Sequence, residues 1–388
     1  MKHKIYYWSP FVSEVATVKS VINSALSVNK YLSNYEAYII DVYGEFEKYK
    51  NEIKEKKINL IKFDRSNIVK YFPKPGYLRS RLLYIFIFLR YFFPLLFLLK
   101  KNPPKILMIH LVTSLPLFIN FFFKINTKII LRISGLPKLN ILRKFFWKIA
   151  LNKVKLICTP TEATLNDLVK QNITNSNKIV LLRDPIIVPR EIVLKKNELL
   201  ENEELNTKEY YISIGRLSNQ KNFTFLINSM KENLLKNENC KLIILGEGEE
   251  KKKLLDLINL HKLEKKVLLL GFKKNIFKYL KNAKAFILTS LWEDPGFVIL
   301  EAAYLNIPII CSDCPNGPKE ILDNGKLGFM FESNNKNDFQ EKFKNFINMN
   351  KIDIFKKKLL AKKQTKKFSL FYHSKNLIKI LENLDAPY

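Results

Sequence analysis

Short apolar runs alternate with longer segments of helical period along almost the whole of this 388-residue chain. In the first half the runs are KIYYW (4–8), AYIID (37–41), INLIKF (58–63), KILMIHL (105–111), KIILRIS (128–134), KLICTP (155–160) and KIVLLR (178–183). Between them, 13–33, 79–99, 141–152 and 162–171 carry apolar residues at helical spacing. The alternation pauses at REIVLKKNELLENEELNTK (190–208), which is charged and weakly patterned and reads as an interdomain linker with its approach. It restarts with YYISIG (210–215), KLIILG (241–246), KVLLLGF (266–272), AFILTS (285–290) and IPIICSD (307–313). In the closing segment, 366–384, Phe371, Leu377, Ile378 and Leu381 fall near one helical face. This order predicts an α/β chain of two Rossmann-like, doubly wound domains in series, each a parallel sheet covered on both faces. The expected domains are 1–188 and 205–365, with 366–388 packing back on the first. No residue-level repeat relates the two halves. Ligands of such sheets bind at the carboxyl ends of strands, so the expected site is a cleft where the two domains face each other.

Composition changes this picture in three ways. The formal charge is +30, of which residues 1–184 supply +20. A basic field attracts nucleic acid, anionic lipid or phosphorylated substrates, although AT-rich coding also enriches a chain in Lys, Asn, Ile and Phe. The four cysteines are too few and too scattered for a disulfide scaffold and point to a reducing compartment. Cys311 and Cys314 form a C-x-x-C, but no second pair completes a zinc site and Pro315 stands where a redox helix would begin. The start, MKHKIYYWSP, lacks the apolar core and cleavage site of a secretory signal. The segment from Arg81 to Lys100 approaches the length of a membrane span. Arg90 at its middle opposes insertion by about 2.5–3.5 kcal/mol, and Pro94 interrupts it. Two readings remain for it: a buried helix of a large domain, or a basic, aromatic helix resting on a bilayer.

The candidate chemistry lies at strand ends in the second half. After YYISIG, Gly215 permits a tight exit, and Arg216 and Lys221 stand beside a helix start, an arrangement that suits a diphosphate. GEGEE (246–250) lacks a full G-x-G-x-x-G and reads as a tight turn with acidic residues at a helix N-terminus. The turn at Gly271–Phe272 offers backbone that can read a base edge. After AFILTS, Asp294-Pro295 reads as a helix cap followed by proline at the first helical position. The first N–H groups of that helix, near Gly296, Phe297 and Val298, form an anion site. Glu301 lies one to two turns further in, and Glu293 sits off the helix across the loop.

This constellation resembles the retaining, nucleotide-sugar-dependent glycosyltransferases of family 4, which have the GT-B fold. The resemblance is carried by the E-x7-E stretch EDPGFVILE (293–301), the basic pair in GRLSNQK (215–221) before it and CSDCPNGPKEIL after it. It implies that Arg216 and Lys221 hold the donor diphosphate and offset charge on the leaving nucleoside diphosphate. It further implies that Glu301 accepts hydrogen bonds from the ribose and that Glu293 contacts the transferred sugar. The N–H groups of Phe297 and Val298 would meet the distal phosphate or sugar. No metal or other cofactor is implied. His110, at the end of KILMIHL, stands where family members often touch the donor sugar; a histidine satisfied at a strand end is the competing reading. The first half departs from the family after its first strand: SPFVSEVATVKS (9–20) has no glycine, leaving Ser13 or Thr17 as hydroxyl donors, and Arg132 in RISGLP as a cation for an acceptor phosphate.

The expected activity is therefore transfer of a sugar from a nucleoside diphosphate to a glycan or lipid-linked acceptor, in bacterial surface polysaccharide synthesis. The expected location is cytoplasmic, peripheral on the inner face of the membrane, with the basic aromatic N-terminal domain as the contact. Two other classes compete. A nucleic-acid-binding protein explains the charge, but the chain shows no helix-turn-helix, zinc or RNA-binding signature, and no nucleic-acid partner is expected. A glycoside hydrolase needs two carboxylates flanking one bond at a set separation, which Glu301 inside a helix does not suit.

Overall fold

A computed structural model describes residues 2–11, 16–64, 77–137, 139–200, 210–236 and 240–385. The chain divides into two compact units, residues 1–186 with 369–388, and residues 187–368. The first unit runs β1 (His3–Trp8), α1 (Thr17–Tyr31), β2 (Tyr35–Asp41), α2 (Lys50–Glu55), β3 (Asn59–Lys62), α3 (Tyr77–Lys101), β4 (Ile106–Ile109), α4 (Ser114–Phe122), β5 (Lys128–Arg132), α5 (Ile141–Asn152), β6 (Leu156–Thr159), α6 (Glu162–Gln171) and β7 (Ile179–Leu181). All its strands are parallel, in the order β3-β2-β1-β4-β5-β6-β7.

The order fixes where the helices go. Right-handed crossovers place α1 and α2 on one face and α3 to α6 on the other, because the winding direction reverses between β1 and β4. The two cores agree. One contains Ile5, Tyr7, Met108 and Ile130 under Val21, Ile22 and Ala25 of α1. The other contains Tyr6, Trp8, Leu107 and Leu131 under Leu83, Ile87 and Leu95 of α3 and Leu115 of α4. Alternate residues of β1 therefore serve opposite cores, which is why the strand reads as a continuous apolar run.

The second unit runs α7 (Pro189–Lys196), β8 (Tyr210–Ile214), α8 (Phe223–Lys236), β9 (Lys241–Leu245), α9 (Lys251–Leu260), β10 (Val267–Leu269), α10 (Phe277–Leu280), β11 (Ala285–Leu288), α11 (Phe297–Tyr304), β12 (Ile309–Ser312), α12 (Pro318–Ile321), β13 (Phe329–Phe331), α13 (Lys336–Asn348) and α14 (Lys351–Gln364). Its parallel sheet has the order β10-β9-β8-β11-β12-β13, so its reversal point lies between β8 and β11. The closing helix α15 (Leu370–Asp385) belongs to the first unit, where Leu377 and Leu381 complete the core beneath α1.

The expected linker is corrected in part. Residues 189–196 form α7, started by Pro189 at its first turn with Ile192 buried, and they belong to the second unit. The helix is short and half of its residues are charged, so it carries little periodic signal. Residues 201–208 of that stretch lie outside the described residues.

Candidate functional site

In the second unit the candidate residues gather above the β8/β11 reversal point. β8 is wholly buried and is followed by Gly215. A Cβ on Gly215 would lie 2.9–3.0 Å from Cγ, Cδ and Cε of Lys221, so glycine here lets the lysine stem cross the strand end. Residues 219–221 form a single 3-10 turn, Asn222 is left-handed, and α8 begins at Phe223. This turn is stitched to the end of β11. Leu291 N–H donates to the Gln220 carbonyl at 2.8 Å, Gln220 Nε2 donates to the Trp292 carbonyl at 2.9 Å, and Thr289 Oγ1 donates to the Lys221 carbonyl at 3.0 Å.

The stitching delivers Lys221 to Glu293. Its ammonium lies 2.5 Å from Glu293 Oε1, with the two side chains 15% and 5% exposed. Ser290 Oγ donates to the same oxygen at 2.6 Å. Glu293 is held through its backbone as well, its N–H donating to the Pro315 carbonyl at 3.1 Å. Arg216 differs: its guanidinium is 67% exposed and lies 3.5 Å from the exposed Glu249. One cation is thus nearly dry and the other is exposed.

The loop before α11 corrects the predicted cap. The Asp294–Pro295 peptide is cis, and the helix starts at Phe297 with Gly296 in the capping position. Asp294 Oδ1 accepts instead from Asn316 Nδ2 at 2.9 Å. Pro295 is pressed against Gly317, where a Cβ would stand 2.0 Å from the Pro295 carbonyl oxygen and where φ is +125°. Asp294 and Pro295 are therefore spent on a loop-to-loop contact, and the N–H groups at the helix start are those of Phe297 and Val298. Ile299 N–H already bonds the Gly296 carbonyl. Glu301 is buried in the middle of α11. Gly271 follows β10 with φ +71°, its carbonyl accepting from Gly246 N–H at 2.9 Å, and Phe272 is 65% exposed. The nearby thiols are inert: burial pushes Cys314 up to about 12 and holds Cys311 well above the usual thiol range.

The carboxyl edge of the first unit holds His110, one residue past β4 beside the β1/β4 reversal point. Its N–H donates to the Trp8 carbonyl at 2.9 Å, while both ring nitrogens are buried without a hydrogen-bond partner. Burial, then the charge of Arg132, then His373, hold this imidazole well below its ordinary pKa, so it is neutral. Arg132 corrects the phosphate expectation. Its guanidinium is buried against Asp184, which also accepts from Ser20 Oγ at 2.5 Å, so its charge is already neutralised. Thr17 opens α1, and Ser13 lies outside the described residues.

Ser290 and Gln220, which position the Lys221–Glu293 pair, were not singled out from the sequence. A hydroxyl at a strand end three residues before a buried glutamate was the available signal.

Residues 195–368 match the family described as glycosyl transferases group 1. A glycosyltransferase of Methanocaldococcus jannaschii, itself uncharacterized, is 34% identical over 321 residues, covering 76% of this chain and 71% of that one. The N-acetylgalactosamine-N,N'-diacetylbacillosaminyl-diphospho-undecaprenol 4-alpha-N-acetylgalactosaminyltransferase of Campylobacter jejuni is 30% identical over 243 residues, 62% of this chain and 64% of that one. Among solved structures, Anabaena HepE in complex with UDP and glucose superposes with a TM-score of 0.72 at 15% identity, over 98% of this chain and 99% of that one. That likeness shows the fold, which is GT-B.

Proposed function

We propose that this chain, which belongs to the group 1 glycosyl transferases, moves a sugar with retention from a nucleoside diphosphate to a glycan or lipid-linked acceptor. The observation that carries the reading is the nearly dry Lys221–Glu293 pair above the reversal point of the second sheet. A diphosphate arriving there meets the Lys221 ammonium, the exposed Arg216 guanidinium and the first N–H groups of α11. In the reaction the bond from the sugar anomeric carbon to the diphosphate breaks, and a bond from that carbon to an acceptor hydroxyl oxygen forms. The hydroxyl proton is released, and the departing nucleoside diphosphate keeps the bonding electron pair. Fixed donors for that developing charge act electrostatically, with no reorganisation at the moment of transfer and no resident metal. Glu301 takes the ribose hydroxyls, Glu293 takes the transferred sugar, and Gly271–Phe272 takes the base. His110, neutral, offers hydrogen bonding to a sugar hydroxyl.

The acceptor class is supported by the Campylobacter jejuni relative, whose name specifies a diphospho-undecaprenol acceptor. A lipid-linked acceptor would place the enzyme in the cytoplasm at the inner face of the membrane, in surface polysaccharide assembly. Thermal-shift and turnover measurements against a panel of nucleotide sugars test the reading. Arg216→Ala, Lys221→Ala and Glu301→Ala should each lower turnover, with Lys221→Ala down by about 10²–10³. Wild-type transfer by all three variants would sink the assignment.

A further inference from the structure

The helix α3 is apolar on two opposite sides, and the first unit covers only one of them. Leu83, Ile87, Tyr91, Leu95 and Leu99 are buried in the core at a spacing of four. Ile85, Leu89, Phe93 and Phe97 repeat at the same spacing and are 58%, 70%, 61% and 53% exposed. A surface helix normally turns a polar face outward, so the second row is unexplained by folding. The helices α4 and α5 lie on the same face of the sheet and extend it. Phe118 and Phe122 of α4 are exposed, and Phe118 reaches the α3 aromatics, with Phe88 and Phe118 ring centroids 5.3 Å apart. Ile141, Leu142, Phe145 and Phe146 of α5 are exposed too. Such a run of large apolar side chains exceeds what a monomer leaves in water.

Charge identifies what covers it. Residues 65–161 contain 18 Lys and Arg and not one of the 36 acidic residues of the chain. AT-rich coding raises lysine everywhere but does not remove Asp and Glu from one continuous quarter of a sequence. The cations edge the apolar face: Lys101 stands 5.8 Å from the Phe97 ring centre, Lys100 5.7 Å from that of Phe123, and Lys153 4.9 Å from that of Phe121. A second copy of this chain would oppose like charges across the face, which disfavours a dimer. An apolar centre with a uniformly cationic border fits the surface of an anionic bilayer, where rings enter the acyl boundary and ammonium groups remain among phosphates.

We infer that the outer face of α3, α4 and α5 is a docking face for membranes containing anionic lipid, and that α3 lies on the bilayer without crossing it. The buried row keeps α3 fastened to its own core, and the exposed Arg90 guanidinium lies 4.0 Å from Asp64. The inference rests on the peripheral placement proposed above but not on the transfer chemistry, so vesicle binding without donor tests it separately. Of the two adjacent rings at 92 and 93, Phe92 packs against the core, whereas Phe93 is exposed on the outer row.

The test is flotation of the full chain with phosphatidylcholine vesicles, with and without about one third phosphatidylglycerol. The wild type should float with the anionic vesicles, less so as salt is raised. The triple variant Leu89→Ser, Phe93→Ser, Phe97→Ser should lose about tenfold or more of that binding, with unchanged circular dichroism and UDP affinity. Should that variant misfold, Leu89→Glu alone puts a negative charge at the most exposed position of the row and should weaken binding in the same direction. Wild-type binding by folded variants would overturn the inference, as would equal binding to neutral and anionic vesicles. A wild-type oligomer that the triple variant dissolves, with no vesicle binding by either, would show a subunit interface and overturn it as well.

Discussion

The Lys221–Glu293 pair can be measured without knowing the donor sugar. At 2.5 Å and an effective dielectric of about 20, the two charges attract by about 7 kcal/mol before desolvation. Removing two ions from water takes back several kcal/mol, and the 15% exposure of Lys221 screens part of what is left. A net coupling of about 2–3 kcal/mol is the expectation, the range of a hydrogen bond between charged groups. Glu293→Gln leaves the ammonium without its carboxylate, and Lys221→Met leaves Glu293 with Ser290 as its remaining side-chain donor at Oε1. Each should destabilise the second unit by about 3 kcal/mol, and the double variant by about 3–4 kcal/mol rather than their sum. For a unit of this size each single variant should lower its thermal midpoint by about 6–12 °C. Urea unfolding of the four proteins closes the cycle. Repeating it with saturating UDP probes function, because a ligand at a hundred times its dissociation constant stabilises by about 2.7 kcal/mol. Lys221→Met should lose most of that increment. Single effects under about 0.5 kcal/mol that simply add would refute the pairing, and an undiminished UDP increment in Lys221→Met would refute the diphosphate role.

Two further outcomes follow from the same geometry. Gly215→Ala puts a Cβ about 3 Å from three carbons of the Lys221 stem, so the lysine must leave its track. We expect a loss of about 1–3 kcal/mol, with UDP affinity falling in step; an unchanged UDP affinity would show that the lysine reaches its place by another path. His110 and His373 are both held below the ordinary imidazole range by burial, so below about pH 6.5 the unfolded chain binds protons that the folded chain refuses. Stability of the first unit should therefore fall as pH drops below that value, by up to about 1.4 kcal/mol per pH unit for each histidine. His110→Gln should flatten the slope between pH 6.5 and 5.5 by up to about 1.4 kcal/mol per unit, while Glu45, whose carboxyl is held well above the usual range by burial, contributes in the opposite direction; a slope unchanged by this variant would mean that His110 is already charged or exposed in the native state.

Much of the fold was legible because parallel strands buried on both faces leave uninterrupted apolar runs. KIILR and YYISI are examples, each paired on both sides inside its sheet. What escaped was short or charged. β13 has three residues and pairs only with β12, so Phe329–Phe331 offered too little length to separate from a loop. Helix α7 spends most of its face on solvent and buries only Ile192, which gave it the look of a linker. The outer row of α3 was legible as hydrophobicity but not as exposure. A sequence shows that Leu89 and Phe93 are apolar, not that the core has already been filled by the opposite side of the same helix.

The candidate site was legible as a set of residue types and opaque as a set of partners. Spacing suggested that Glu293 and Glu301 address different parts of one ligand, and it placed Lys221 with Arg216 as a pair of cations. The structure groups them otherwise. Lys221 pairs with Glu293, Arg216 is exposed beside Glu249, and Glu301 is buried within α11. The cause is a long-range contact that no local pattern records. The turn at 218–222 and the strand end at 289–292 are more than sixty residues apart, and they meet because β8 and β11 are neighbours at the reversal of the sheet. Nor does the loop carrying Glu293 prepare the helix that follows it, as Asp294-Pro295 suggested. It is held to the β12–α12 turn through Pro315, Asn316 and Gly317. The carboxylate is therefore set from two directions, by its neighbour across the sheet and by the next loop along.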